Sequence, residues 1–184
     1  GEGHKPNRKA TDGYREALGR LFLLDEVPAW LPSGNRIKEL GQSPKHQLAD
    51  PALAARLLGV GEEALLRGEG DVVRDGPLLG ALFESLVTLS VRTYAQAVSA
   101  RVRHLRILRG DHEVDLIVED EAGRVLALEV KLSATVDDDD VRALRWLAGR
   151  LGDDLLDMAV INTGTYAYRR ADGIAVIPLA LLGP

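Results

Sequence analysis

At 184 residues, 46% apolar and 28% charged, the chain has ordinary proportions for a single globular domain or a small domain joined to a medium one. The absence of cysteine excludes disulfides and thiolate zinc sites and fits a reducing compartment, with the cytoplasm as the default. A net charge of −5 excludes a molecule-wide attraction to nucleic acid. No apolar run reaches the length of a membrane span, and the start GEGHKPNRK has no signal-peptide core, so no membrane partner is expected.

Residues 1–10 are polar and read as a disordered or linking segment. Thr11 can cap a helix reaching about Leu24, with Tyr14, Leu18, Leu21 and Phe22 as its apolar stripe. Two short apolar runs around Pro, Gly, Ser and Asn, between Leu21 and Leu48, predict a loosely paired β-ribbon. Asp50-Pro51 is an N-cap followed by proline at the first helical position, opening a short helix that stops near Gly59. Residues 11–60 are therefore expected to form a partial winged-helix-like or connecting subdomain. The connecting role is favoured, because the chain lacks the preceding helices of a complete winged helix. Residues 61–76, rich in Gly, Glu and Asp, read as a linker. No Gly-x-x-x-x-Gly-Lys-(Ser/Thr) occurs, so no ATP site of that type is expected in this chain.

The second domain is expected over 77–184. Its first helix runs from Pro77 to about Val98, with Leu79, Leu82, Phe83, Leu86, Leu89 and Ser90 near one side. Glu84 is the lone acid between Pro77 and Ala100. On a largely apolar helix it is either exposed or, if it faces the sheet, paired or bound to a metal. A strand over Val102–Leu108 follows, inside a stretch that holds Arg92, Arg101, Arg103, Arg106 and Arg109 and no acid. Such a stretch either contacts a phosphate backbone, with Arg101, Arg103, Arg106 and Arg109 as the candidates, or is a solvated face.

Residues 113–132, EVDLIVEDEAGRVLALEVKL, alternate on both sides of a glycine-bearing turn and predict an antiparallel hairpin. With the turn centred on Ala122, Asp115 faces Glu129 and Glu113 faces Lys131. Val114, Leu116, Val118, Leu126, Leu128, Val130 and Leu132 then share the apolar face. Like charges placed directly opposite are destabilising. A divalent cation, Mg²⁺ or Mn²⁺, between Asp115 and Glu129 would relieve that repulsion. The alternative is a solvated face with a Glu113–Lys131 pair and acids separated by twist or slipped register. Four aspartates, 137–140, are expected to serve the start of a helix over 137–151 rather than a metal. Short strands over 158–162 and 173–179 complete the domain.

Asp115, thirteen residues, then Glu129-Val130-Lys131, resembles the signature of the PD-(D/E)xK nuclease-like superfamily, with Val114 in place of the usual proline. The ordered set FLLDEVPAW, SPKHQLADPALAARLLG, GALFESLV, EVDLIV and LEVKLS, spanning about Thr11 to Leu182, resembles domain of unknown function 4143. That domain forms the C-terminal region of predicted bacterial and archaeal AAA-type ATPases. The resemblance implies a mixed α/β fold with a restriction-endonuclease-like core: helix, three-strand meander, helix, strand. It implies catalytic Asp115, Glu129 and Lys131, a metal held by Asp115, Glu129 and Glu84, and an N-terminal ATPase module absent from this chain as its partner. Two functions follow as expectations. One is a metal-dependent DNA phosphodiesterase. The other is a noncatalytic module that docks to DNA, to a protein or to its ATPase, with exposed apolar residues near Trp30 and Leu31 as a docking surface.

Overall fold

The computed structural model describes residues 8–32, 43–62, 72–107 and 112–183. Helix α1 (Arg8–Arg20) begins before Thr11, since Arg8, Lys9 and Ala10 are good helix formers. It stops where Phe22 takes a left-handed φ of 56° and Leu23 N–H bonds back to Leu18 O at 3.0 Å. The predicted stripe is not a core face. Tyr14, Leu21 and Phe22 are exposed, because none of the described elements covers that side of the helix.

The predicted ribbon is present as β1 (Leu24–Val27) and β2 (Lys45–Leu48), antiparallel, with Val27 opposite Lys45. Asp50 caps α2 (Pro51–Leu57) by accepting from Ala52 N–H at 2.8 Å. The long helix α3 spans Val72–Ala97, so it starts five residues before the expected Pro77, which lies inside it. Its buried face is also rotated from the expected one. Val87, Val91 and Ala95, spaced by four, enter the core together with Ser85 and Thr88, whereas Leu86 and Leu89 are 42% and 39% exposed. The two hydroxyls explain how polar residues occupy that face: Ser85 donates to Leu48 O at 3.1 Å, and Thr88 donates to Glu84 O at 2.8 Å.

Strands β3 (Arg101–Arg106), β4 (Glu113–Glu119) and β5 (Val125–Val130) form an antiparallel meander. Helix α4 (Arg142–Leu151) then leads into β6 (Leu155–Asn162), which runs parallel to β5. The edge is completed by β7 (Tyr168–Arg169) and β8 (Ala175–Pro178), giving the strand order β3-β4-β5-β6-β8-β7. Helix α4 covers one face through Val141, Leu144 and Leu147, packed with Leu105, Ile117, Val125, Ala127 and Val160. Helix α3 covers the other through Val87 and Val91, packed with Leu116, Leu128, Ala159 and Ile161. The result is a mixed α/β fold in three layers, and among the described residues no helix is long and apolar enough to cross a membrane.

The ribbon is a separate two-stranded sheet. It joins the main sheet through residues 28–30, where His104 N–H donates to Pro28 O at 2.9 Å and Trp30 N–H donates to His104 O at 2.7 Å. Trp30 is buried, with its indole N–H donating to Glu119 Oε1 at 3.2 Å. The expected docking surface at Trp30 is thereby corrected: a large ring with one donor found both an apolar seat and an acceptor.

Candidate functional site

The hairpin has the register that alternation predicts. Leu116 pairs with Leu128, Ile117 with Ala127, Val118 with Leu126 and Glu119 with Val125. Gly123 supplies the positive φ of 82° for the turn, and Asp120 accepts from Arg124 N–H at 2.8 Å. Past Leu116 the strand changes character. Opposite β3, Arg103 pairs with Ile117 and Leu105 with Val114, so two steps on β3 span three on β4. That extra residue is a β-bulge, a device that re-aims side chains. Val114 consequently packs in the cluster containing Ile117 rather than with Leu116, contrary to strict alternation. Asp115, released from the ladder, turns its carboxylate onto β5 and accepts from Val130 N–H at 3.0 Å.

The bulge places Glu113 and Asp115 beside Glu84 of α3, and one ammonium joins all three. Lys45 Nζ, from β2, lies 3.1 Å from Glu84 Oε1, 3.0 Å from Glu113 Oε1 and 3.0 Å from Asp115 Oδ1. Its three N–H donors thus match three acceptors. Burial works against its charge, but Asp115 and Glu84 outweigh burial and hold the ammonium protonated above the usual lysine range. Glu113 also resists burial and stays below the usual carboxylate range, because Lys45 and the Arg106 guanidinium, at 3.0 Å, stabilise its charge. Gln47 donates a longer hydrogen bond, 3.4 Å, to Glu84 Oε1. A cavity of about 440 Å³ opens beside this cluster, walled by Gln47, Leu48, Leu82 and Ser85 and edged by Lys45 and Glu113.

On the other side of Asp115 stand the remaining two signature residues. Lys131 Nζ is 3.3 Å from Glu129 Oε1 and 3.7 Å from Asp140 Oδ1. Glu129 is 9% exposed, and its Oε2 has no hydrogen-bond partner. Burial, reinforced by the negative charge of Asp115, pushes its carboxyl up to about 8 despite Lys131. Lys131 is raised in turn, the charge of Glu129 overcoming its own burial. The Glu113–Lys131 surface pair of the alternative, solvated-face reading does not form, because Glu113 turns toward Lys45 and Arg106.

Asp115, Glu129, Lys131 and Glu84 therefore lie in one charged cluster, with Lys45 and Asp140 as members that sequence reasoning missed and Glu113, placed on the same hairpin face, joined to it through Lys45. Lys45 lies 39 residues before Glu84 and 70 before Asp115, so no local spacing announces it. The arginines are largely committed elsewhere. Arg103 is 3.7 Å from Glu119 and Arg106 is bound to Glu113, while Arg101 is an exposed edge residue opposite Glu119. Arg109 lies outside the described residues. The four aspartates do not cap α4, whose N-cap Val141 makes no side-chain cap bond. Asp137 instead accepts from Asp139 and Asp140 N–H at 2.9 and 3.0 Å, closing a turn of its own ahead of the helix. Asp138 binds Arg145 and Arg170 on the same surface.

The donor chemistry suits a hard divalent cation: carboxylate oxygens, one of them buried and unpartnered. The spacing is that of an ammonium cage, since Mg²⁺–O contacts are about 2.0–2.1 Å, and among the described residues no three acids converge closely enough to hold an ion as they stand.

A family model described as domain of unknown function (DUF4143) matches residues 79–182, and the chain belongs to that family. The match starts within α3, whereas the resemblance noted in the sequence begins near Thr11. No curated protein and no solved structure gives a significant match.

Proposed function

From membership of a family whose own function is undefined, we propose that the chain is a nuclease-like domain of the PD-(D/E)xK type, a divalent-metal-dependent phosphodiesterase acting on DNA. We take the core to be restriction-endonuclease-like, and the partner to be an AAA-type ATPase module. The observation that carries this reading is the grouping of Lys131 Nζ, 3.3 Å from Glu129 Oε1, with Asp115, whose charge acts on both. The order α3, meander, α4, β6 agrees with it.

In this reading Asp115 and Glu129 would hold the cation, with Glu84 as a further candidate ligand, once the carboxylates close in from their present spacing. When bound, Mg²⁺ or Mn²⁺ supplies Lewis acidity toward a phosphate oxygen and acidifies a water. The chain's own part is positional. Asp115 is fixed by the Val130 N–H, Glu129 hangs from a strand bonded on both edges, and Lys131 offers an ammonium for charge that develops on phosphate. In the test, the wild type nicks supercoiled DNA with Mg²⁺ or Mn²⁺, and Glu129→Ala and Lys131→Ala do not, while both keep native circular dichroism. Cleavage by the variants equal to wild type, or none by wild type, overturns the proposal.

A second reading, a noncatalytic module that docks to DNA, to a protein or to the ATPase, is favoured by the ammonium of Lys45 among three carboxylates. It requires binding without cleavage, and any DNA retention would weaken steeply with salt.

A further inference from the structure

His104 stands where the ribbon meets the main sheet, and its backbone makes the joint. Its N–H donates to Pro28 O at 2.9 Å and its carbonyl accepts from Trp30 N–H at 2.7 Å. Its side chain is a buried liability: the residue is 2% exposed, and neither Nδ1 nor Nε2 has a hydrogen-bond partner. A neutral imidazole already leaves one donor and one acceptor unmet there, and a second proton would make it a cation with two unmet donors. Strands β4 and β1 and helix α3 pack against β3, and the acids they bring are engaged by other groups. Glu113 is held by Lys45 and Arg106, Asp115 and Glu84 by Lys45, Glu119 by Trp30 and Arg103, and Asp25 by Arg92, while Glu26 faces His46. Burial and then the Lys45 ammonium hold the imidazole below the usual histidine range, and Arg106 acts the same way. The Ser43 backbone and Glu113 pull in the other direction, but neither hydrogen-bonds the ring.

We propose that this joint is pH-sensitive: when the His104 ring takes up a second proton, the hydrogen bonds to Pro28 and Trp30 open and the ring moves into water. The direction follows from where the proton binds more easily. A hydrated ring takes it near the ordinary 6.5, and the buried ring only at lower pH. The closed joint therefore has its full stability above about 6.5 and loses it as pH falls below that value. The opening is confined to the joint, because the ribbon has other holds on α3 and β4: Ser85 to Leu48 O, Arg92 to Glu26 O, and Lys45 among its carboxylates. It bears on the charged cluster because the ribbon is the element that brings Lys45 there. Neither a metal nor DNA enters into this behaviour.

The test is amide hydrogen exchange read by NMR on the full chain, expressed as protection factors so that the intrinsic pH dependence of exchange drops out. From about pH 7.5 to about pH 5, protection at the amides of residues 30 and 104 is expected to fall several-fold in wild type, while the Lys131 amide, bonded to Ile161 O in the main sheet, does not follow. In His104→Leu, whose side chain is of similar size and cannot ionise, the fall is expected to disappear. Glu129 has the opposite pH dependence, so the comparison of wild type with the variant decides. No fall in wild type, a parallel fall at Lys131, or the same fall in the variant overturns the proposal. Should His104→Leu fail to fold, the ring resonances of His104 in the wild type decide: titration below 6.5 supports the joint, and titration at or above 6.5 overturns it.

Discussion

Lys45 and Asp115, seventy residues apart in the chain, meet with Nζ and Oδ1 3.0 Å from each other. Asp115 uses its second oxygen on the Val130 N–H, so one carboxylate links the ribbon to β5. Asp115→Ala should cost about 1–3 kcal/mol, since the Val130 N–H loses its acceptor and Lys45 one of its three anions. Asp115→Asn should cost less, because an amide oxygen still accepts. Urea denaturation in the presence of a chelator checks the order, and equal losses would show that the backbone contact contributes nothing.

Glu129 sets a pH dependence. Its carboxyl is raised to about 8 in the folded chain from an ordinary 4.5, so between those values the folded state keeps a proton that the unfolded state releases. The stabilising contribution of the protonated form is complete below about 4.5 and is lost as pH rises toward 8. Each pKa unit corresponds to about 1.4 kcal/mol. The metal-free wild type should therefore have a lower urea midpoint at about pH 8 than at about pH 5, and Glu129→Gln should flatten the difference. A wild-type profile already as flat as the variant's contradicts the burial argument.

Trp30 anchors the segment that ties the ribbon to β3. Trp30→Ala should cost about 3–5 kcal/mol as a large core truncation. Trp30→Phe should cost less, through loss of the indole N–H to Glu119 and some packing volume. Chemical denaturation of both variants tests the ranking.

Asn162 is buried at the end of β6, where its amide donates to Ala134 O at 3.2 Å and accepts from Gly164 N–H at 3.1 Å. The loop carrying Ser133 and Ala134, directly after Lys131, is held by this side chain. Asn162→Ala should cost about 1–3 kcal/mol by deleting both hydrogen bonds of a buried amide, each contributing about 0.5–1.5 kcal/mol net. Gly164→Ala should also destabilise, since an added Cβ would meet Asn162 Nδ2 at 3.1 Å and Ala134 O at 3.2 Å. Thermal melts of the two variants provide the comparison.

The hairpin was legible because two alternating runs and one glycine turn leave few registers that bury both aliphatic faces. Asp115, Glu129 and Lys131 follow from that register. The bulge was not legible: β4 reads as regular alternation, and the extra residue shows only opposite β3. The face of α3 was misjudged because its buried side admits Ser85 and Thr88, whose hydroxyls find carbonyls, while leucines at 86 and 89 turn partly outward. Lys45 was invisible for a third reason. The lysine of KHQL finds its carboxylates on two elements much later in the chain, Glu84 on α3 and Glu113 and Asp115 on β4. The N-terminal stripe of Tyr14, Leu21 and Phe22 shows the reverse: periodicity on a helix face that none of the described elements buries.

Strand β5 is bonded to β4 on one edge and β6 on the other, and Lys131 N–H extends the second pairing by donating to Ile161 O at 3.0 Å. The two shores of the charged cluster therefore differ in anchorage: Glu129 and Lys131 stand on a strand flanked by neighbours on both edges, whereas Lys45 comes from a ribbon of two strands. Substitutions in β2 at Lys45 or Gln47 therefore reach the charge balance of the cluster from a sheet other than the one that carries the signature residues.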